Sequence, residues 1–252
     1  MEIPHLLKLY DTEVRAQPRA RRGLTVEQMG GVLLLTGSSN FVCHWNIPAE
    51  KAAETVAWVA DRLQGRGEGL TWDVYGHDCP ARLSDHLVAA GLLVEHRSTL
   101  MVLDLSAGGP SMPAGIEVRR VADQAMLRDF VRLSAEAFGQ DADWQLDAFN
   151  QQLDSDEDLL FTAYAGGQAA GSARMEITRD CRFAGLFGGA VSPRFQGRGL
   201  YRAMVSARAA AAKARGVQYL STGALETSRP ILERLGFMPL THITRWVLMP
   251  GQ

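Results

Sequence analysis

Arg194-Phe195-Gln196-Gly197-Arg198-Gly199-Leu200-Tyr201 is the stretch that decides how this chain folds. A strand-like apolar run precedes it, and a long alanine-rich run follows it. Two glycines one residue apart let the backbone turn tightly and approach a ligand closely. A helix that starts just behind them offers free N–H groups and a partial positive charge, which suit a phosphate. Strand, glycine turn and helix in this order predict a seat for a phosphorylated cofactor.

The flanks carry the same message. Over 199–215, apolar or small residues recur at Leu200, Met204, Ala207, Ala211 and Ala214, steps of three and four that predict a helix with one buried face. Between Ser192 and Gly216 there are six basic residues and no acid. Arg198 and Arg202 fall at the helix start, where positive charge opposes the macrodipole, so an anion is expected to offset them. The preceding run, Ala184 to Val191, holds Gly185, Gly188 and Gly189. Glycine weakens a strand interior and marks a bulge or the close approach of another backbone. Pro193 ends the ladder. An extended, amide-bearing ligand can lie along such a strand, with its phosphate end at the helix.

Outward from this stretch, the C-terminal half alternates elements. Strands are expected at 116–121, 183–191, 217–222 and 243–248, and helices at 122–138, 144–153, 199–215 and 229–235. A hairpin is expected around Gly166-Gly167, formed by 159–165 and 169–177. Such alternation predicts an α/β (α+β) sheet with helices packed on it. The Gly/Pro/Ser-rich segment 106–115 reads as a linker between residues 1–105 and 116–252. The first half ends with a strand (70–75), a helix (81–90), Gly91-Leu92 and a strand (98–105). That order returns around Gly236-Phe237, with Thr99, Val102 and Leu103 falling on Thr244, Val247 and Leu248. The helix 49–63 matches 199–215 in the same alignment, and a duplicated fold is expected. The turn equivalent to the glycine pair reads Trp45-Asn46-Ile47-Pro48-Ala49; proline removes a donor there, so the first half is not expected to hold a phosphate in this way.

Global properties exclude several classes. The chain has 252 residues and a net charge of −2, which points away from nucleic acid and anionic membranes. No apolar run reaches the roughly 20 residues that span a bilayer. The N-terminus lacks the basic and apolar regions of a signal peptide. Cys43, Cys79 and Cys181 are widely spaced and odd in number, which fits free thiols in a cytoplasmic protein rather than disulfides or zinc. His44, His77, His86, His96 and His242 form no ligand spacing, so no metal is expected.

Arg194-x-x-Gly197-x-Gly199 resembles the acetyl-CoA motif of the GNAT superfamily of N-acyltransferases. Val191-Ser192-Pro193 before it and Leu235-Gly236-Phe237 after it complete that family's pattern over residues 116–248. The resemblance implies a tandem protein of two GNAT-like domains, each a mixed, mostly antiparallel sheet flanked by helices, the first domain degenerate. It implies that acetyl-CoA is the cosubstrate. The pantetheine would pair with Gly189, Ala190 and Val191, and Arg194, Gln196, Gly197, Arg198, Gly199, Leu200 and Tyr201 would surround the pyrophosphate. Ser228 or Thr227 would add a contact. The partner is a small-molecule or peptide amine, with no nucleic acid and no membrane, and a homodimer is compatible with this reading.

Amine acetylation needs a neutral amine, so a base must take its proton, and a donor must meet the developing oxyanion. The backbone N–H at Val191 is the expected donor. Many members of the family carry a Glu on the strand before the loop; this chain has no acid there, and Glu176, one strand earlier, is the nearest candidate. Glu226 and Asp180 are further candidates. The family's Tyr, four residues before the Gly of LGF, is Leu232 here, and its Asn is Leu225. Trp144, Phe149 and Phe161 are candidates for lining a substrate cleft or for the core. A non-catalytic acyl-CoA sensor is the alternative reading.

Overall fold

The structure is a computed structural model describing residues 2–20 and 23–250. Along the chain lie α1 (Ile3–Tyr10), a π-helical turn (Asp11–Arg15), β1 (Leu24–Met29), β2 (Val32–Gly37), β3 (Phe41–Trp45), α2 (Ala52–Gln64), β4 (Leu70–Tyr75), α3 (Leu83–Ala89) and β5 (Leu93–Asp104). After Gly115 come β6 (Ile116–Arg120), α4 (Gln124–Phe138), α5 (Ala142–Asn150), β7 (Asp158–Ala165), β8 (Gln168–Ile177) and β9 (Phe183–Val191). The chain ends with α6 (Leu200–Lys213), β10 (Tyr219–Ala224), α7 (Arg229–Arg234) and β11 (Met238–Leu248). Among the described residues, no helix is long and apolar enough to cross a membrane.

Two compact units result. The first comprises Met1–Met101 with Gly223–Pro230 and Pro239–Gln252; the second comprises Val102–Thr222 with Ile231–Met238. These limits differ from the expected 1–105 and 116–252 in two ways. The last strand, β11, pairs antiparallel with β4 from Ile243↔Tyr75 to Leu248↔Leu70 and so belongs to the first unit. The Gly/Pro-rich segment 106–115 is folded onto the second unit: Arg202 Nε donates to the Ser111 carbonyl at 3.1 Å, and Arg202 Nη2 donates to the Ser111 hydroxyl.

In the first unit, β1–β2 and β2–β3 pair antiparallel and β3–β4 pair parallel. Its core is built on Leu34, Val56, Val59, Leu63, Trp72 and Leu87, all fully buried. The helix α2 presents Ala52, Val56, Val59, Ala60 and Leu63 to that core at the spacing of one helical face. In the second unit, β6–β7, β7–β8 and β8–β9 are antiparallel and β9–β10 is parallel. One side of this sheet is covered by α4 and α5, with Leu127, Phe130, Val131, Phe149 and Leu160 between them. The other side is covered by α6, through Leu200 and Met204 on Ala163, Ala170 and Ala173. Both units thus show a mixed, mostly antiparallel sheet flanked by helices. Both contain one parallel strand pair joined through a helix: β3–α2–β4 and β9–α6–β10.

Candidate active site

The second unit's parallel pair is short. Tyr219↔Phe183, Leu220↔Ala184 and Ser221↔Gly185 are its registered rungs. Beyond Gly185 the two strands have no further registered rung, and the Thr222 hydroxyl donates to the Leu186 carbonyl at 2.9 Å. The rest of β9, Phe187 to Val191, pairs with β8 on one side and has no registered partner on the other. A strand edge free in this way can accept an extended amide chain.

The glycines of β9 explain why it bends here. The β8–β9 register shifts between Ser172↔Ala190 and Arg174↔Phe187, so Gly188 and Gly189 face Ala173 alone. This is a β-bulge, and Gly188 adopts a φ of 56° that only glycine takes without strain. A Cβ on Gly189 would lie 3.1 Å from the Tyr201 ring and 3.8 Å from Arg208 Nη2.

After Val191, a short 3-10 turn (Pro193–Phe195) leads to Gly197 at φ 74° and Gly199 at φ 85°. Gly199 is the N-cap of α6, where no side chain caps the helix and the first turn carries no acid. The contrast with the unit's other helices is direct. Asp123 caps α4 by accepting from Met126 N–H at 2.8 Å, and Asp141 caps α5 by accepting from Trp144 N–H at 2.7 Å. The start of α6 keeps its free N–H groups and the positive end of its dipole, a geometry that suits an anion. A Cβ built on Gly197 would meet nothing within 4 Å, so that residue keeps the approach clear rather than making room for packing.

The expected cofactor residues are largely brought together. Gly189, Ala190 and Val191 lie on the free edge, with Arg194, Gln196, Gly197, Arg198, Gly199, Leu200 and Tyr201 in the turn that follows. Arg194 and Arg198 both lie against the Phe195 ring, at 5.9 and 5.4 Å from its centroid, with their side chains exposed. Gln196 reaches back to the Val191 carbonyl at 3.5 Å. Arg202, expected to face an anion, is instead taken up by Ser111. Leu200 is buried in the core of the α6 face, so only its backbone is available. Tyr201 packs on Gly189, and burial raises its phenol pKa, with the Arg208 charge acting the other way. Ser228 belongs to the first unit, and its hydroxyl donates to the Leu225 carbonyl at 3.1 Å.

Glu176 sits opposite Gly185 on β8, and Ser221 sits opposite Gly185 on β10, so the three residues share the last closed rung of the fork. The carboxylate is therefore placed on the strand beside the opening. Phe149 is buried under α4, edge-on to Phe130 at 5.3 Å. Phe161 is buried in the sheet, and Trp144 is 63% exposed, so none of the three lines a shared cleft as one group.

Two arginines enter the picture that the periodicity did not single out. Arg208 is 1% exposed and belongs to the buried row of α6, in place of the more open Ala207, Ala211 and Ala214. Its Nε donates to the Met204 carbonyl and its Nη1 to the Arg174 carbonyl, both at 3.0 Å. Burial pushes its pKa down to about 10, with only Tyr201 acting against that. The sequence signal was its position, four after Met204 and eight after Leu200, on the apolar stripe itself. Arg174 is half-buried on β8, between the rings of Phe149 and Phe187. Its signal was the alternation Ser172, Arg174, Glu176, a polar row on one face of a strand.

Comparison with known proteins completes the description. Residues 124–237 match the family model "Acetyltransferase (GNAT) family". The structure is similar to a GCN5-related N-acetyltransferase from Kribbella flavida, at TM-score 0.67 and 14% identity, covering 99% of this chain and 95% of that one. It is also similar to a functionally unknown conserved protein from Staphylococcus epidermidis, at TM-score 0.69 and 12% identity over 92% and 96%. A tandem GNAT protein from the clavulanic acid biosynthesis pathway gives TM-score 0.64 and 15% identity over 99% and 95%. At these identities the likeness speaks for the fold. No curated protein matches the sequence. The free strand edge, the glycine turn and the uncapped helix all lie inside the residues that match the acetyltransferase (GNAT) family model.

Proposed function

We propose that the second unit binds acetyl-CoA and transfers the acetyl group to an amine acceptor, by direct attack while both substrates are bound. The observation that carries this reading is the fork: β9 and β10 separate after Gly185↔Ser221, and the freed edge leads straight into the uncapped start of α6. Acetyl-CoA, when bound, supplies the activated acetyl thioester. The chain would hold it through the Gly189–Val191 edge and the N–H groups of Gln196 to Leu200. Arg194 and Arg198 add exposed positive charge beside that turn. The backbone amide at Val191 is the proposed oxyanion donor, and Glu176 the proposed base, acting directly or through water. The three cysteines lie outside the motif, so attack through an acyl-enzyme is not part of the proposal. The acceptor is a small-molecule or peptide amine. The domain needs neither nucleic acid nor membrane for this chemistry, and a cytoplasmic setting, where acetyl-CoA is at hand, fits it.

A second reading has one specific observation in its favour. Leu232 is 1% exposed where the resemblance calls for a tyrosine, so no phenol stands there to protonate a leaving thiolate. An acyl-CoA-binding sensor without turnover would tolerate that. Titration calorimetry with acetyl-CoA, followed by thiol release across an amine panel, tests both. Binding with turnover supports transfer; binding without turnover across the panel supports the sensor; no binding removes both.

A further inference from the structure

The guanidinium of Arg174 stands out among the charged groups of the second unit. It is half-buried on β8, and among the described residues no hydrogen bond and no ion pair reaches it. Two aromatic rings flank it instead, Phe149 at 5.4 Å and Phe187 at 5.9 Å from ring centroid to guanidinium carbon. Ring faces hold a guanidinium in place and leave its N–H edge open. Burial lowers the Arg174 pKa, with the Glu176 and Asp158 charges acting the other way.

The location makes this cation informative. A Cβ on Gly188 would lie 3.2 Å from Arg174 Nε, so the guanidinium abuts the bulge where β9 loses its partner. Arg174 also shares its strand face with Glu176, two residues on, and with Ser172, two residues back. Ser172 and its cross-strand neighbour Thr162 are fully buried, and neither hydroxyl has a hydrogen-bond partner. A row of polar groups under α4 and α5, with one cation unpaired and two hydroxyls unsatisfied, does not describe an ordinary core. Arg208 fixes the strand at this point by donating to the Arg174 carbonyl.

Resting on the acetyl-transfer reading above, we infer that Arg174 binds a carboxylate of the reacting pair, so that the acceptor is an amine that also bears a carboxylate. A planar guanidinium matches a carboxylate with two parallel N–H bonds, and the partial exclusion of water strengthens them. The same chemistry on the acyl chain, as in a dicarboxylic acyl-CoA, is the other source, and the experiment separates the two.

The test uses the full chain saturated with coenzyme A and titrates N-acetyl amino acids against their primary amides, which differ only in the carboxylate. The expected result is that acids bind at least about tenfold more tightly than amides, the scale of one charge-assisted hydrogen bond. Arg174→Gln brings the acids to the level of the amides, Arg174→Lys restores part of the difference, and coenzyme A affinity is the same in all three proteins. In a second arm, succinyl-CoA is compared with acetyl-CoA; tighter binding of succinyl-CoA that Arg174→Gln abolishes puts the carboxylate on the acyl chain. Equal binding of acids and amides together with no preference for succinyl-CoA overturns the proposal, as does an acid preference that survives Arg174→Gln. Coenzyme A affinity is read separately: its loss in the wild-type chain would remove the transfer reading, and an acid preference measured on the free protein would still establish the carboxylate site.

Discussion

Among the described residues two strand forks can be compared, one filled and one open. In the first unit, β3 and β4 are registered at Phe41↔Thr71 and Val42↔Trp72 before they part, as β9 and β10 do after Gly185↔Ser221. The first fork is then filled by its own side chains. Trp45 sets its ring edge-on to Trp72 at 5.4 Å and donates from Nε1 to the Cys79 carbonyl at 2.8 Å. Arg15, from the π-helical turn, lies over Tyr75 at 4.0 Å and Trp45 at 5.2 Å and forms a bidentate pair with Asp78 at 2.8 and 2.9 Å. Asp78 also accepts from the Tyr75 N–H at 2.8 Å, so the β4 edge is closed. Arg15 is 5% exposed, and the Asp78 hydrogen bonds lift its pKa despite burial. The second fork has Gly185, Gly188 and Gly189 where the first has bulky residues. What separates the open fork from the filled one is thus the size of the side chains near the split.

The largest effect is expected from closing the open fork. Gly197→Val and Gly199→Val each put a β-branched residue at a positive φ in the turn proposed to hold the pyrophosphate. Acetyl-CoA affinity should fall by two orders of magnitude or more while circular dichroism and thermal melting still report a folded chain. Acetyl-CoA titrating normally into either folded variant would remove the turn from the site.

Opening the closed fork gives the converse. Arg15→Met leaves Asp78, only 10% exposed, without its cation, and should cost about 3 kcal/mol in denaturant unfolding. It should create no second acetyl-CoA site, because Pro48 lacks an N–H and the following helix begins as a 3-10 turn over Ala49–Lys51. A stoichiometry of two in calorimetry would show that the plug alone had been hiding a competent fork.

Next in size is the base. If Glu176 takes the amine proton, Glu176→Gln lowers kcat by about 100-fold with acetyl-CoA affinity retained. Unchanged turnover moves the role to water or to another acid. Gly188→Ala is milder. The positive φ and a Cβ 3.2 Å from Arg174 Nε should cost about 1–2 kcal/mol in stability, measured by the denaturant midpoint. A neutral result would show that the bulge relaxes without cost.

Much of the open fork was legible in the chain, because glycines and proline act locally. Gly197, Gly199 and Pro193 fix their own dihedrals, and β9 was expected over the same residues that form it, 183–191. The order of helices and strands after residue 115 followed from periodicity for the same reason. The closed fork was not legible. Arg15, Trp45, Tyr75 and Asp78 are far apart in sequence, and nothing local says that they meet. In the first unit β1 alternates only loosely, with Thr25 and Val26 both exposed. The transfer of β11 to the first unit is likewise a pairing choice, invisible in the strand's own residues. Arg174 and Arg208 were visible only as polar interruptions of apolar faces, and interruptions of this kind are informative where a fold brings a ligand close.

The smallest effect belongs to Arg208, and it is the sharpest use of the comparison with Arg15. Both arginines are buried, but Arg15 meets carboxylates and Arg208 meets only the carbonyls of Met204 and Arg174. Burial takes the Arg208 pKa down to about 10. Its two hydrogen bonds to carbonyls offset part of that desolvation. Arg208→Met removes the desolvated cation, fills much of the same volume and frees two carbonyls; the expected change in unfolding free energy is within about 1 kcal/mol. The same substitution at Arg15 should cost about three times as much. Equal losses at the two positions would mean that backbone carbonyls hold a buried guanidinium as firmly as carboxylates do, and that the two forks differ in access alone.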